Sequence, residues 1–418
     1  MDFARHVCEN TPQFVMSEKF SIPVWAVVCG AWVCAYLALF VHPVFLNAGQ
    51  TMAFPRTVPT LDPIGVDFRA LLGSSRAWLE MGNPSSCYPP LAAVGFAPFV
   101  ALPFSVAYAV MTGLTLLAYL SVTLVLPLRV FPRADRAAVL AVSMAGLFSY
   151  GLLFEFERGQ YNVLAMACVA WGLFLFHRGR GRGARWAAYA LFSAAIQLKV
   201  YPAIFVFAFA KEARAWKQNL ARWAGLGAAN VALLFALGPQ AFGDFLRLLK
   251  LQAVEPYVWV GNHSIQSLAE RTGHPWIVPA FTAVYAACFL WALRRQIRPG
   301  GPGAFAGLLL MSALGAMLIP GVSHDYKLTV LTLAFAFFAA SAAPLSLRGI
   351  RAGVAAGLFL VLCFLQAWMQ FSYVLKPAGV QNNAPFLLAL AAGLTLWMGV
   401  AEKPVEPGAR TDGGAGGG

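Results

Sequence analysis

The chain predicts an all-α polytopic membrane protein, and three observations carry that reading. Of its 418 residues 60% are hydrophobic and only 11% charged, a balance foreign to water-soluble enzymes. Apolar runs long enough to cross about 30 Å of hydrocarbon recur from Ser21 to Ala401. Between them the basic residues gather in short connections, the pattern of cytoplasmic loops. A formal net charge of +13 would point a soluble protein toward nucleic acid. Here topology accounts for it, and no nucleic-acid partner is expected.

Taken in order, residues 1–21 are short and polar. Their apolar run begins too late, and lacks a clear small-residue cleavage site, for a signal peptide. The first span falls at about 22–44. Residues 45–104 then form an external loop with interfacial helices. Within it Asp67 opens an amphipathic stretch: Phe68, Leu71, Leu72 and Leu79 recur at helical spacing, with Arg69, Ser74, Arg76 and Glu80 opposite. Such a helix lies in the membrane interface. Tyr88-Pro89-Pro90 should stop it, because proline lacks the amide donor and restricts its neighbour. Residues 91–103 are apolar but short and carry Pro98 and Pro103, so they read as re-entrant or interfacial.

The second span is Ser105–Pro127. Basic clusters follow at Arg129–Arg136, Arg178–Arg185, Lys211–Arg222, Arg294–Arg298 and Arg348–Arg351. For Arg178–Arg185 and Lys211–Arg222 to share a side, residues 186–210 must go out and come back. Lys199, just ahead of Tyr201-Pro202, marks the turning point of two half-helices. A single tilted helix is the alternative. Later spans fall near 223–238, 276–293, 303–320, 328–344, 352–372 and 385–401. The scheme has about twelve crossings in a single domain over 1–401, with both termini cytoplasmic. The Pro/Gly-rich tail 402–418 reads as disordered and cytoplasmic. The seven cysteines lie mostly within apolar runs and make neither a paired framework nor a metal spacing.

Under this topology five polar clusters share the outer face: Asp67; Glu155–Asn162; Lys199; Asn262–Gln266 with Arg271; and Ser323–Lys327. Ionisable groups near hydrocarbon are costly and often mark function. No nucleotide-binding domain, phosphate loop or metal spacing is visible, so neither a cofactor nor a metal is expected. A site outside the cytoplasm meets no nucleotide sugars, so an activated sugar must arrive on lipid phosphate. Such a donor leaves as a phosphate monoester, which needs no general acid but does need cations. Lys199, Arg158 and Lys327 supply them, with His324 donating a hydrogen bond. One carboxylate, Asp67, takes the proton of the acceptor hydroxyl. Glu157, Gln160, Asn162, Asn262, His263 and Tyr88 are the candidates to hold sugar and acceptor. Plainer roles compete: Asp67 as a helix cap, Lys199 snorkelling to the interface, the histidines as hydrogen-bonded structural residues, Glu155, Glu157 and Arg158 as an interfacial network.

These residues carry a resemblance. Asp67 after the first span, then Tyr88-Pro89-Pro90-Leu91, is similar to the pattern of glycosyltransferase family 87, which includes polyprenyl-phosphate-mannose-dependent α-mannosyltransferases. Gly159-Gln160-Tyr161-Asn162 resembles its Gly-Gln-x-Asn motif, Lys199-Val200-Tyr201-Pro202 its Lys-x-x-Pro motif, and Gly261-Asn262-His263-Ser264 its Gly-Asn-x-Ser stretch. The ordered set covers about residues 60–330. At Ser323-His324-Asp325-Tyr326-Lys327 the chain departs from the tryptophan and histidines that follow the serine in actinobacterial members. The resemblance implies the GT-C membrane fold and a lipid-linked donor, and gives Asp67 the role of the aspartate in the first external loop.

Together these expectations describe an inverting hexosyltransferase of the inner (plasma) membrane, its site facing the periplasm or exterior. It would move a hexose, mannose being the one the resemblance suggests, from polyprenyl phosphate to a glycan or glycolipid hydroxyl. A transporter or flippase of lipid-linked sugars, and a non-enzymatic assembly subunit, are the rival classes. The first should show internal repeats and a midplane site, and no repeat between the halves is evident.

Overall fold

The computed structural model describes residues 64–254, 261–297, 302–342 and 382–400, apart from positions 133, 135, 148 and 212. The spans expected at 22–44 and 352–372, both termini and the tail 402–418 lie outside them. Among the described residues every regular element is helical, and one isolated β-type bridge joins Asn262 to His324.

Helix α1 (Val66–Met81) carries the predicted amphipathic pattern, burying Phe68, Leu71 and Ser75. It ends at Gly82, whose left-handed backbone (φ 73°) lets its N–H reach Trp78 O. The stop therefore precedes Tyr88-Pro89-Pro90, which instead leads into α2 (Pro90–Phe96), proline being tolerated at a first helical position. Leu79 belongs to the predicted apolar stripe but is 55% exposed, because burial along α1 ends with Ser75. A 3₁₀ turn, Ala97–Ala101, completes the short apolar segment. Helices α3 (Phe104–Leu120) and α4 (Leu126–Val130) join through a π turn, Ser121–Val125, into one 27-residue run. Widening the helix there carries it past Pro127, which has no N–H to give.

Helix α5 is Arg136–Leu147. Helices α6 (Tyr150–Arg158) and α7 (Asn162–Arg178) bend by 114° at the residues between them. Helix α8 (Gly181–Leu198) folds back along α7. Their approach is close: a Cβ on Gly172 would sit 3.0 Å from Ala188 O. A 3₁₀ helix, Tyr201–Phe209, then returns. Its Tyr201 hydroxyl donates to Asn162 O at 3.4 Å, while Phe209 lies 5.3 Å from Phe176 between ring centroids. Residues 186–210 thus run out and back with Lys199 at the turn. The returning half is 3₁₀, whose longer rise per residue lets a short segment cover the distance.

Helices α9 (Trp216–Leu234) and α10 (Pro239–Val254) meet at a 99° bend. Then come α11 (Ile265–Thr272), α12 (Ile277–Ile297), α13 (Pro302–Leu318), α14 (Leu328–Ala342) and α15 (Ala384–Val400). Among the described residues two helices are long and apolar enough to cross a bilayer, Phe104–Val130 and Ile277–Ile297, or four if each bent pair counts as one span.

Two cores hold these elements. The larger surrounds α13 and α14, where nearly every described side chain is buried. The smaller joins Phe68 and Leu71 of α1 to Ala92, Phe96, Tyr108 and Tyr161. Lipid tails are as apolar as Leu, so close packing and interhelical hydrogen bonds decide such contacts. Thr123 and Ser143 bond at 2.8 Å, and the Tyr285 hydroxyl donates to Met311 O at 2.9 Å. Helix α7 also orders the molecule end to end. Asn162 opens it, and Arg178 at its close donates to Val130 O at 3.0 Å, about 25 Å away at 1.5 Å per residue. His177 lies 5.2 Å from Phe305, so the start of α13 shares that basic end. The polar clusters gather at the other.

Candidate functional site

The N-terminus of α1 is pinned to the C-terminus of α6. Gly65 N donates to Glu157 O at 2.7 Å, and the Tyr108 hydroxyl donates to Phe156 O at 2.5 Å. Gly159 closes α6 in the left-handed conformation (φ 65°), and a Cβ there would stand 2.6 Å from Cβ of Phe68. Only glycine allows α1 this close. The contact brings Asp67, in the first turn of α1, beside the end of α6.

Asp67 does not cap its own helix, which has Gly65 at that position and no side-chain cap. Its Oδ2 accepts from Arg158 Nε at 3.0 Å and from Gln160 Nε2 at 2.6 Å. The Gln160 Oε1 in turn accepts from Lys199 Nζ at 2.6 Å. That ammonium lies 4.4 Å from the ring centroids of both Tyr88 and Tyr161, and 5.8 Å from Tyr326. Cation–π contact of this kind helps hold a charge that has lost its water. Glu155, fully buried, accepts from Val163 N at 2.8 Å and caps α7 across the bend.

A second assembly holds the loop before α14. Asn262 Oδ1 accepts from Ser323 N at 2.9 Å and its Nδ2 donates to Gly321 O at 2.9 Å. His263 Nδ1 accepts from Asn383 N at 3.3 Å, so Nε2 carries the proton it shares with Asp325 Oδ1 at 2.7 Å. The Tyr150 hydroxyl donates to Asp325 Oδ2 at 2.9 Å. Asn382 Nδ2 donates to Asn262 O at 2.7 Å, tying in the start of α15. The loop so fixed presents His324 and Lys327, and Lys327 Nζ donates to Val322 O at 2.5 Å.

Asp67, Tyr88, Arg158, Lys199, His324 and Lys327 line one cavity of about 830 Å³. Apolar side chains complete much of the lining, among them Val200, Ile204, Leu246, Leu249, Ala316 and Ile319. Burial alone pushes the Lys199 ammonium down to about 8. Burial and the Lys199 charge bring Lys327 to about 7. Burial, with Lys327 and Arg158 nearby, brings His324 to about 3. His324 is therefore a neutral donor or acceptor at pH 7, not a cation.

The other expected contacts are placed differently. Asn262 and His263 are not among the residues lining the cavity, and their side chains bond to protein partners. Glu157 and Asn162 are fully buried outside the lining as well. Gln160 reaches the site through Asp67 and Lys199. Sequence reasoning missed Lys250 and the apolar residues of α10 that border the cavity. Phe242, Phe245, Leu246 and Leu249 carry the i, i+3, i+4, i+7 spacing that signals such a helix. Among the described residues no group of three or more His, Cys, Asp or Glu could hold a metal.

The apolar helices are those of a membrane protein, and the cavity between them is lined by both charged and apolar side chains. A model described as Glycosyltransferase family 87 matches residues 87–320, and the chain belongs to that family. It is also 27% identical over 273 residues to the polyprenol-phosphate-mannose-dependent alpha-(1-2)-phosphatidylinositol mannoside mannosyltransferase of Mycolicibacterium smegmatis, covering 56% of this chain and 60% of that protein. Asp67 precedes the matched stretch and His324 and Lys327 follow it.

Proposed function

We propose that this protein transfers a hexose from a polyprenyl-phosphate donor to a hydroxyl of a glycan or glycolipid, inverting the anomeric centre in a single displacement. The observation that carries the reading is the cavity itself, lined by one carboxylate, four cationic side chains (Arg158, Lys199, Lys250 and Lys327) and many apolar residues. Arg158, Lys199 and Lys327 hold the donor phosphate, with His324 as a neutral hydrogen-bond donor, and the prenyl tail lies along Ile204, Leu246 and Ala316. Asp67 removes the acceptor proton as the hydroxyl attacks. Tyr88 borders the sugar, and Asn262 and His263 keep the His324–Lys327 loop in place. The similarity to a mannosyltransferase that uses a polyprenol-phosphate donor and a phosphatidylinositol mannoside supports mannose and a glycolipid acceptor here.

In this reading the chain forms one GT-C domain with about twelve crossings and cytoplasmic termini in the plasma membrane. The site faces away from the cytoplasm, because the basic connections lie at the opposite end. A transport site would sit between repeats at mid-depth, whereas these charges gather at helix ends. Purified protein should be incubated with a panel of polyprenyl-phosphate hexoses and with total lipid and glycan extracts. Labelled sugar is expected in a lipid or glycan product with release of polyprenyl phosphate. Donor movement across proteoliposomes without any product would overturn the proposal.

A further inference from the structure

Gln160 joins the two charged halves of the site from behind the cavity wall. Its side chain is nearly buried, its residue 2% exposed, and its backbone N–H is held by Glu155 O at 2.8 Å. The orientation of its amide is dictated by charge. An ammonium only donates and a carboxylate only accepts, so Oε1 must face Lys199 Nζ and Nε2 must face Asp67, each at 2.6 Å. The same Nε2 lies 3.2 Å from the Tyr88 hydroxyl, which accepts from it. A flipped amide would set oxygen against oxygen on one side and N–H against N–H on the other. Both donors to Asp67, Gln160 and Arg158, converge on Oδ2; among the described residues Oδ1 accepts no hydrogen bond.

We propose that Gln160 is a positioning residue that links Lys199 to Asp67, anchoring Oδ2 so that Oδ1 is aimed at the acceptor hydroxyl. The proposal rests on the reading of Asp67 as base and Lys199 as phosphate ligand. A donor phosphate drawn to Lys199 fixes that ammonium, the ammonium fixes the amide, and the amide fixes the carboxylate. In the transfer the acceptor O–H proton passes to Asp67 Oδ1 and a new bond forms between the acceptor oxygen and the anomeric carbon. The bond from that carbon to the phosphate oxygen breaks, and its electron pair leaves with polyprenyl phosphate. Gln160 exchanges no proton at any point.

The test uses the full chain with Gln160→Glu and Gln160→Met, measuring kcat and donor KM from pH 6 to pH 8.5 with polyprenyl-phosphate mannose and saturating lipid extract. A glutamate keeps an oxygen for Lys199. While it shares a proton with Asp67 it also offers an O–H where the amide offered N–H. Its donor KM should stay within about threefold of wild type, and its kcat should fall about 30- to 100-fold at pH 8.5 but recover most of that at pH 6. Met, which makes neither bond, should lose about as much kcat at every pH. A kcat that falls equally across the pH range in Gln160→Glu, or a raised donor KM with unchanged kcat in either variant, would overturn the link. Should Gln160→Met not fold, the pH curve of Gln160→Glu alone decides. Asp67→Asn is run alongside: if it turns over normally the base assignment fails and the link with it. If it is inactive while both Gln160 variants behave as wild type, only the link fails.

Discussion

Asp67 shows how one carboxylate is given a task by its neighbours. Alone at the start of an amphipathic helix it reads more readily as a cap; the family resemblance sets it apart in the sequence, and Arg158, Gln160 and the cavity do so in the structure. The cations have a pH dependence with a definite sign. Lys199 and Lys327 are held down to about 8 and about 7, so each is charged below its value and neutral above. A phosphate binds the charged forms, and its binding weakens as pH rises through them. Donor KM should therefore climb about tenfold or more between pH 7 and pH 9, measured as initial rates over that range. His324, already neutral, should contribute nothing to that slope. Lys199→Met should raise donor KM about 30-fold or more by removing a buried charge-assisted contact, read in the same assay.

At the scale of elements, the site depends on the way α1 leans on the end of α6. Gly159→Ala would place a methyl 2.6 Å from Cβ of Phe68 in a backbone region that disfavours side chains. It should cost about 2–3 kcal/mol, read as a lower unfolding temperature in detergent together with lost activity, since Asp67 moves with α1. Tyr150→Phe removes a hydrogen bond to a buried carboxylate and should cost about 1.5–3 kcal/mol. Its activity loss should appear in donor KM, because the loop it steadies carries His324 and Lys327. Much of this was legible in the sequence. The stripe Phe68, Leu71, Leu72 located α1, and the Lys199–Pro202 break located the turn after α8. The end of α1 was not, because Gly82 stops a helix as surely as Tyr88-Pro89-Pro90 and comes first. Asn262 and His263 read as ligands because polarity in an apolar chain suggests function, and the structure gives their side chains protein partners. The same polarity serves to pair buried loops, and only the three-dimensional partners tell the two uses apart.

For the whole molecule, the long α7 sets a polar end at Asn162 and a basic end at Arg178, and the positive-inside rule orients that axis. In a variant whose native cysteines are replaced, Ser85→Cys should react with a membrane-impermeant thiol reagent added outside intact cells, whereas Arg182→Cys should react only after permeabilisation; the reverse pattern would turn the molecule over. The all-helical character of the described residues followed from hydrophobic run length, which reports burial in lipid but not bends. The 114° break between α6 and α7 does carry a local mark, the polar stretch Glu155–Asn162 around Gly159, but run length alone does not read it as a bend. The central claim is that Asp67 removes the acceptor proton in sugar transfer from a lipid phosphate. The most direct measurement is kcat and donor binding for purified Asp67→Asn beside the wild type. A kcat lower by about 10²–10⁴, with donor affinity largely kept, is the predicted result; turnover within a few-fold of wild type would contradict it.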